Sequence, residues 1–441
     1  MDTKNGSESR DGVASLIQID AKSTMESNYM YGTDPIDEMF NIPYKQHTNF
    51  DKQSVEVLNS KAFVIQQSDK TLIDRVDGGK FGNGLVFNFD TRDSEMIGNL
   101  ILMIHLPDIS EYLLQWTNDI GNAIIDSIKI INGDEELATY SSEYLHLYSL
   151  LNLSSSKRNG LNKMTGHYNS TYSLNGKSRV LYIPIPFMEN QLDKQYFPAF
   201  LANSHTFQIK VSIKPINKLT YIKENQEVRC VLNTNNYTNS VGVTLQINNT
   251  FQNTIPPLFK VKLLYDKFYL TTPEKLMFMT GKGNLLYQYI QQKQVPMDRT
   301  TKSIQIQLDF VDTISYLIVS VVPNCSIDRN TYFEYVPLNT IKLILNGIVI
   351  NRSNNKDDKL SAAKYRYIQP CINIPTKWVY VIPFCISCAY TQPSGYFTFD
   401  GKQKSVLIID RDKNVDLNCT VTVHAVTYKK LQFENAMISY R

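Results

Sequence analysis

Two tandem β-sandwiches in an all-β chain are predicted by three observations on these 441 residues. Tyr is frequent (27 residues), Ile, Val, Thr, Asn and Ser are abundant and Ala is sparse, a balance that favours strands and turns over helices. The chain is too long for one core, so two or more domains are expected. Apolar runs bounded by turn residues recur in two series, each long enough for about eight strands of a jelly-roll sandwich. The expected order is an extended N-terminal arm over 1–43, a first sandwich over 44–269, a short helical linker over 270–292 and a second sandwich over 293–441.

The arm is polar and aperiodic. Between Met1 and Asn41 it carries three basic residues (Lys4, Arg10, Lys22) against eight acidic ones. An arm that binds a genome needs the opposite sign, and the whole chain is only +3, so direct nucleic-acid contact is not expected. The opening MDTKNGSESRDG lacks an apolar signal stretch. The longest apolar run, 379–390, holds Pro383 and is too short to span a bilayer. Soluble, intracellular synthesis is the expectation.

In the first series, LVFNFD (85–90) alternates as a half-buried strand does. The stretch 98–153 organises the rest. An apolar run closes at Leu106-Pro107-Asp108, and 124–131 alternates. Asn132-Gly133-Asp134 then calls for a tight turn, because Gly tolerates positive φ. Tyr144, Leu145, Tyr148 and Leu151 follow at helical spacing. Further strands are expected at 180–185, 206–213, 242–247 and 259–265. The segments 154–178 and 224–240 read as long polar loops, of the kind that carry a surface task. Residues 273–292 read as helical with a break at Gly281-Lys-Gly283. The second series runs through 303–310, 315–322, 340–350, 378–387, 397–400, 405–409 and 420–428.

Chemistry-bearing patterns are missing. The six histidines show no metal-ligand spacing, and there is no G-x-S-x-G elbow. Asn175-Gly-Lys-Ser178 has the tail of a phosphate loop, but Thr171 stands where the first glycine belongs and a strand follows. Asp134-Glu-Glu136 reads as a solvated turn. The six cysteines are scattered. Cys385-Ile-Ser-Cys388 is formally C-x-x-C, but in an extended strand i and i+3 point to opposite faces, so buried free thiols are expected. No catalytic, cofactor or metal residue is nominated, and no enzyme is expected.

Several stretches resemble the double jelly-roll major capsid proteins of nucleocytoplasmic large DNA viruses. YKQHTNF (44–50) resembles the family's "YRRHTNF", and Trp116-Thr-Asn118-Asp-Ile120-Gly121 through Gly133 resembles "W-x-N-x-I-G-x-x-x-I" with its glycine turn. Glu143-Tyr144-Leu145 continues that match. LYIPIPF (181–187) fits "L-x-I-P-L-P-F", Tyr269 to Lys275 sits at "YLD-x-x-ER", and Gln392-Pro-Ser-Gly395 fits "QPSG-x-x-x-F". Val423 to Arg441 resembles the closing strand. The linker departs from "HEYLIEQ", the second half lacks "NPVKELxW", and Asn435 to Tyr440 replaces "G-x-x-x-LAYSN".

The resemblance implies a homotrimeric, pseudo-hexameric capsomer of an icosahedral shell, located in the virion and assembled in host cytoplasm. Its implied partners are copies of itself, neighbouring capsomers and, through the arm, minor capsid or penton proteins and an inner membrane. It also implies that 154–178 and 224–240 face outward. A transient scaffold or minor capsid paralogue of the same fold, and a carbohydrate-binding β-sandwich, are the alternatives. The last needs clustered exposed aromatics or facing carboxylates, against two tryptophans, Trp116 and Trp378.

Overall fold

A computed structural model describes the chain from Asp51 to Tyr440 apart from short internal segments, the longest of them 247–258 and 350–361. The expected arm and the YKQHTNF stretch lie outside the described residues.

Strands of the first half are β1 (Asp51–Leu58), β2 (Lys61–Val64), β3 (Leu72–Asp74), β4 (Asn83–Phe89), β5 (Met96–Leu106), β6 (Gln115–Trp116), β7 (Ile125–Asn132), β8 (Glu135–Ser141), β9 (Arg179–Pro184), β10 (Phe207–Ile213), β11 (Thr220–Glu224), β12 (Glu227–Cys230), β13 (Asn236–Thr238), β14 (Thr244–Gln246) and β15 (Phe259–Tyr269). Those of the second are β16 (Lys282–Met297), β17 (Ser303–Gln307), β18 (Val311–Pro323), β19 (Leu338–Leu345), β20 (Ile348–Val349), β21 (Val379–Pro383), β22 (Phe397–Asp400), β23 (Val406–Arg411), β24 (Cys419–Glu434) and β25 (Met437–Tyr440). Helices are α1 (Ile120–Ile124), α2 (Ser142–Asn152), α3 (Ser155–Thr165) and α4 (Thr272–Thr280).

Each half opposes two sheets. In the first, β1-β15-β5-β9 faces β4-β10-β7-β8, which β2 and β3 extend. In the second, β16-β24-β18-β21, with β22 and β25 attached, faces β17-β23-β19-β20. Numbering each half's principal strands in chain order, both halves place first, eighth, third and sixth in one sheet and second, seventh, fourth and fifth in the other. That is the jelly-roll order, met twice. Neighbouring strands pair antiparallel, so the connections after the first, third, fifth and seventh strands emerge at one end of each barrel.

Local chemistry explains the best-read elements. β7 and β8 form the expected hairpin, with Gly133 at φ 62° in the turn, and Lys129 bridges Glu136 across it at 2.8 Å. α2 begins where the Ser141 hydroxyl accepts the Tyr144 N–H at 3.2 Å. The Asp134-Glu135-Glu136 group sits at the turn, with Asp134 and Glu135 exposed.

Three readings need correction. The helical reading of 273–292 holds only through Thr280, because Lys282–Met297 is the sixteen-residue strand β16, paired with β24 from Lys282↔Glu434 to Met297↔Cys419. Leu285, Leu286, Tyr289 and Ile290 satisfy helical spacing by coincidence. A full ladder with β24 satisfies the same backbone in extended form. Within the polar stretch 154–178, residues 155–165 form α3, ended by Gly166 in the left-handed region (φ 74°), whose N–H reaches Asn162 O. The second polar stretch holds the short strands β12 and β13.

The third correction concerns burial. A two-layer sandwich leaves alternate residues on a wet face, yet β18 and β24 are buried on both faces over most of their length. Leu317, Val319, Val421 and Val423 fill the second barrel's core, whereas Tyr316, Ile318 and Val426 join the core that begins in the first barrel. The sheet β16-β24-β18-β21 therefore lies between two cores.

Gly121 shows how tightly the intervening helices pack. A Cβ there would lie 2.8 Å from the Thr165 Cα and carbonyl oxygen, both backbone atoms. Gly121→Ala is expected to destabilise the fold by about 1–3 kcal/mol, the usual cost of overpacking, read as a lower denaturant midpoint at unchanged slope.

Candidate functional site at the junction of the two barrels

Four connections meet where the barrels touch, and all four emerge at the same type of end. They follow the third and fifth principal strands in each half: 107–124 and 142–178 in the first, 324–337 and 350–378 in the second. Asp119, His146, Phe333 and Lys377 come one from each.

Asp119 precedes α1 in the left-handed region (φ 54°, ψ 42°), a conformation Asp tolerates better than most residues. Its buried carboxylate accepts both Asn122 Nδ2 contacts, at 3.1 and 3.0 Å, and the His146 Nδ1–H at 2.7 Å. The Lys377 ammonium approaches His146 Nε2 at 3.3 Å and donates to Phe333 O at 2.9 Å. These contacts fix the tautomer: Nδ1 carries the proton and Nε2 accepts. The imidazole stacks on Phe333, with centroids 4.1 Å apart and planes 5° from parallel.

The electrostatics follow from burial. Burial pushes the His146 imidazole down to about 4, with the Asp119 hydrogen bond opposing it, so the ring is neutral at pH 7. Burial alone would push the Asp119 carboxyl up; the hydrogen bond from His146, aided by that from Asn122 and by attraction to the neighbouring imidazoles when they are protonated, more than offsets it, and the group is held below the usual range. Burial also lowers Lys377, opposed by Asp119.

A second set of contacts lies along α2. Ser320 on β18 donates to Glu143 Oε1 at 2.5 Å, and burial raises the Glu143 carboxyl against the hydrogen bonds from Ser320 and Thr422. His424 on β24 is fully buried, 3.5 Å from Ser141 Oγ, and burial pushes it down to about 3. Lys214 lies over the Tyr332 ring at 4.9 Å. α2 is thus enclosed almost all round, and its polar residues Ser142, His146 and Ser149 are as buried as its leucines.

The arrangement holds two bodies together: a neutral histidine between a carboxylate and an ammonium is a tie. Among the described residues no group of His, Cys, Asp and Glu is placed to hold a metal ion. The two tryptophans lie apart, Trp116 buried against Phe81 and Trp378 half exposed with the Arg366 guanidinium 3.8 Å over its ring. The C-x-x-C reading needs revision in its geometry. β21 ends at Pro383, so Cys385 and Cys388 lie on a bend with sulfurs 3.7 Å apart; both are free thiols, but only Cys388 is buried as expected and Cys385 is partly exposed. None of Asp119, His146 or Lys377 was singled out from sequence as a functional residue. Their spacing of 27 and 231 positions leaves no local pattern to read.

Comparison with known proteins agrees with this architecture. The model for the major capsid protein N-terminus matches residues 38–251, which take in every described strand of the first barrel except β15. VP54 of PBCV-1 superposes with a TM-score of 0.65 at 15% identity, over 91% of this chain and 99% of its own. The Faustovirus major capsid protein gives 0.62 at 9% identity, over 96% and 98%. In sequence, capsid protein 1 of Acanthamoeba polyphaga mimivirus is 21% identical over 267 residues, 54% of this chain and 40% of that protein. Probable capsid protein 3 of the same virus is 25% identical over 168 residues, 37% of this chain and 7% of that protein. The chain thus spans less than half the length of these curated relatives. The class is that of the double jelly-roll proteins. Within it, the chain is similar to the capsid proteins of large DNA viruses, in sequence over its first half and in fold over nearly its whole length.

Two outcomes follow from the junction. Asp119→Ala leaves His146 and Lys377 buried without their anion and is expected to cost about 3–5 kcal/mol in chemical denaturation. Both buried imidazoles have folded pKa values below the usual 6.5, so the unfolded chain binds their protons first and stability falls as pH drops. The contribution is complete above about 6.5 and lost progressively towards about 4 for His146 and about 3 for His424. Melting curves between pH 7 and pH 4 are expected to show a falling midpoint, with a shallower fall for His424→Gln.

Proposed function

We propose that this chain is a major capsid protein whose homotrimers form pseudo-hexameric capsomers and tile the icosahedral shell of a large DNA virus. The observation that carries this is the repeat itself: two barrels of one strand order, joined through equivalent connections. Held that way, the barrels stand side by side and point the same end in the same direction. Three such pairs around a threefold axis present six similar bodies, and a six-neighbour lattice can be filled by a trimer.

The same reading assigns the ends. The stretches 154–178 and 224–240 belong to the connections after the fifth and seventh strands, which topology sends to one end, and that end is proposed to face outward. The acidic arm over 1–43 is proposed to lie inside, against minor capsid or penton proteins and an inner membrane, with no direct contact to nucleic acid. A first jelly roll over 44–269, a linker over 270–292 and a second over 293–441 belong to this proposal. So do location in the virion, assembly in host cytoplasm and a mechanical role with no reaction.

Light scattering coupled to size exclusion is expected to give three times the mass of one chain. A stable monomer at micromolar concentration would overturn the proposal.

A further inference from the structure

Three cysteines gather where the chain leaves β21. The Phe384 N–H donates to Ser315 O at 2.9 Å, and the backbone then bends, bringing Cys385 Sγ to 3.7 Å from Cys388 Sγ. The bend is held from both sides. The Cys388 N–H donates to Pro370 O at 3.3 Å, while Ser394 Oγ accepts the Ser387 N–H at 2.9 Å and donates to Ser387 O at 3.0 Å. Cys388 is buried, Cys385 is partly exposed, and Ile386 between them is 85% exposed. Cys371 lies behind, hydrogen-bonded to the Cys388 thiol.

The two sulfurs differ in character. The hydrogen bond from Cys388 outweighs burial at Cys385 and lowers that thiol, favouring its thiolate. Cys388 is raised by its hydrogen bonds with Cys371 and Cys385 and by burial, and stays protonated. A partly exposed nucleophile beside an enclosed thiol is the arrangement of an attacking and a resolving cysteine.

We infer that Cys385 and Cys388 are a modification site that closes into a reversible intrachain disulfide by exchange with a small-molecule or protein disulfide. The Cys385 thiolate attacks one sulfur of that disulfide, forming a mixed disulfide and releasing one thiolate, which takes up a proton. Cys388 then loses its proton to solvent and attacks Cys385 Sγ, expelling the second thiolate. Two protein thiols are oxidised and one external disulfide is reduced to two thiols. Closing the 3.7 Å gap to a bond of about 2.05 Å needs side-chain rotation and a small shift of a partly exposed bend.

The site adjoins the junction. Asn373, two residues from Cys371, donates its N–H to Leu151 O on α2 at 3.1 Å, and Cys388 itself belongs to the core shared by the two barrels. The disulfide therefore stiffens the second barrel where it grips the first.

The test incubates the reduced, folded full-length chain with oxidised glutathione and maps its peptides without reductant. A Cys385–Cys388 link and a raised melting midpoint that dithiothreitol reverses are expected. Cys388→Ser should trap glutathione on Cys385, Cys385→Ser should take up none at Cys388, and Cys371→Ser should leave the link intact. The inference is overturned by thiols that remain free, by a Cys371–Cys388 link instead, or by a glutathione adduct that persists on the unmodified chain.

Discussion

A sheet buried on both faces has no wet side on which to leave polar atoms, and the sheet β16-β24-β18-β21 is in that position. One face closes the second barrel. The other bears Tyr316, Ile318, Ser320, Thr422 and His424, which meet α2 of the first half. Each buried polar group has to find a partner across the junction or be held neutral, because an unpaired one costs as much as a lost hydrogen bond. Glu143 with Ser320 and Lys377 with His146 do so across the junction, while Asp119 finds His146 within the first half.

The junction thereby combines two kinds of interaction. Apolar area supplies the free energy of docking and is indifferent to small slides. Buried charge supplies register: shifting the barrels by one residue would take the Lys377 ammonium away from His146 Nε2 and leave it in a dry interface. A tie of this kind keeps the two barrels at one spacing, as the proposed assembly requires.

Where local chemistry decides structure, the sequence could be read directly. Asn132-Gly133 dictated a hairpin turn, alternation marked β4 and β7, and the spacing of Tyr144, Leu145, Tyr148 and Leu151 marked α2. Elsewhere tertiary pairing overrode the local pattern. Residues 282–292 carry helical spacing and still form a strand, because β24 offers a ladder along their whole length. Gly160 interrupts the polar segment 155–165 and hid α3, a helix whose last residue packs against Gly121. The Cys385–Cys388 pair was misjudged for a related reason: β21 stops at Pro383, and a bend brings together side chains that a strand would separate.

From its residues alone, this chain reads as an all-β protein of two sandwiches, because composition and most period-two patterning act within a few residues. Which face of β18 and β24 meets solvent was decided only by the folded whole: valines, threonines and a histidine read alike whether the facing layer is water or another barrel. The same holds for the buried tie, since Asp119, His146 and Lys377 acquire their roles only when connections distant in sequence are packed into one dry space.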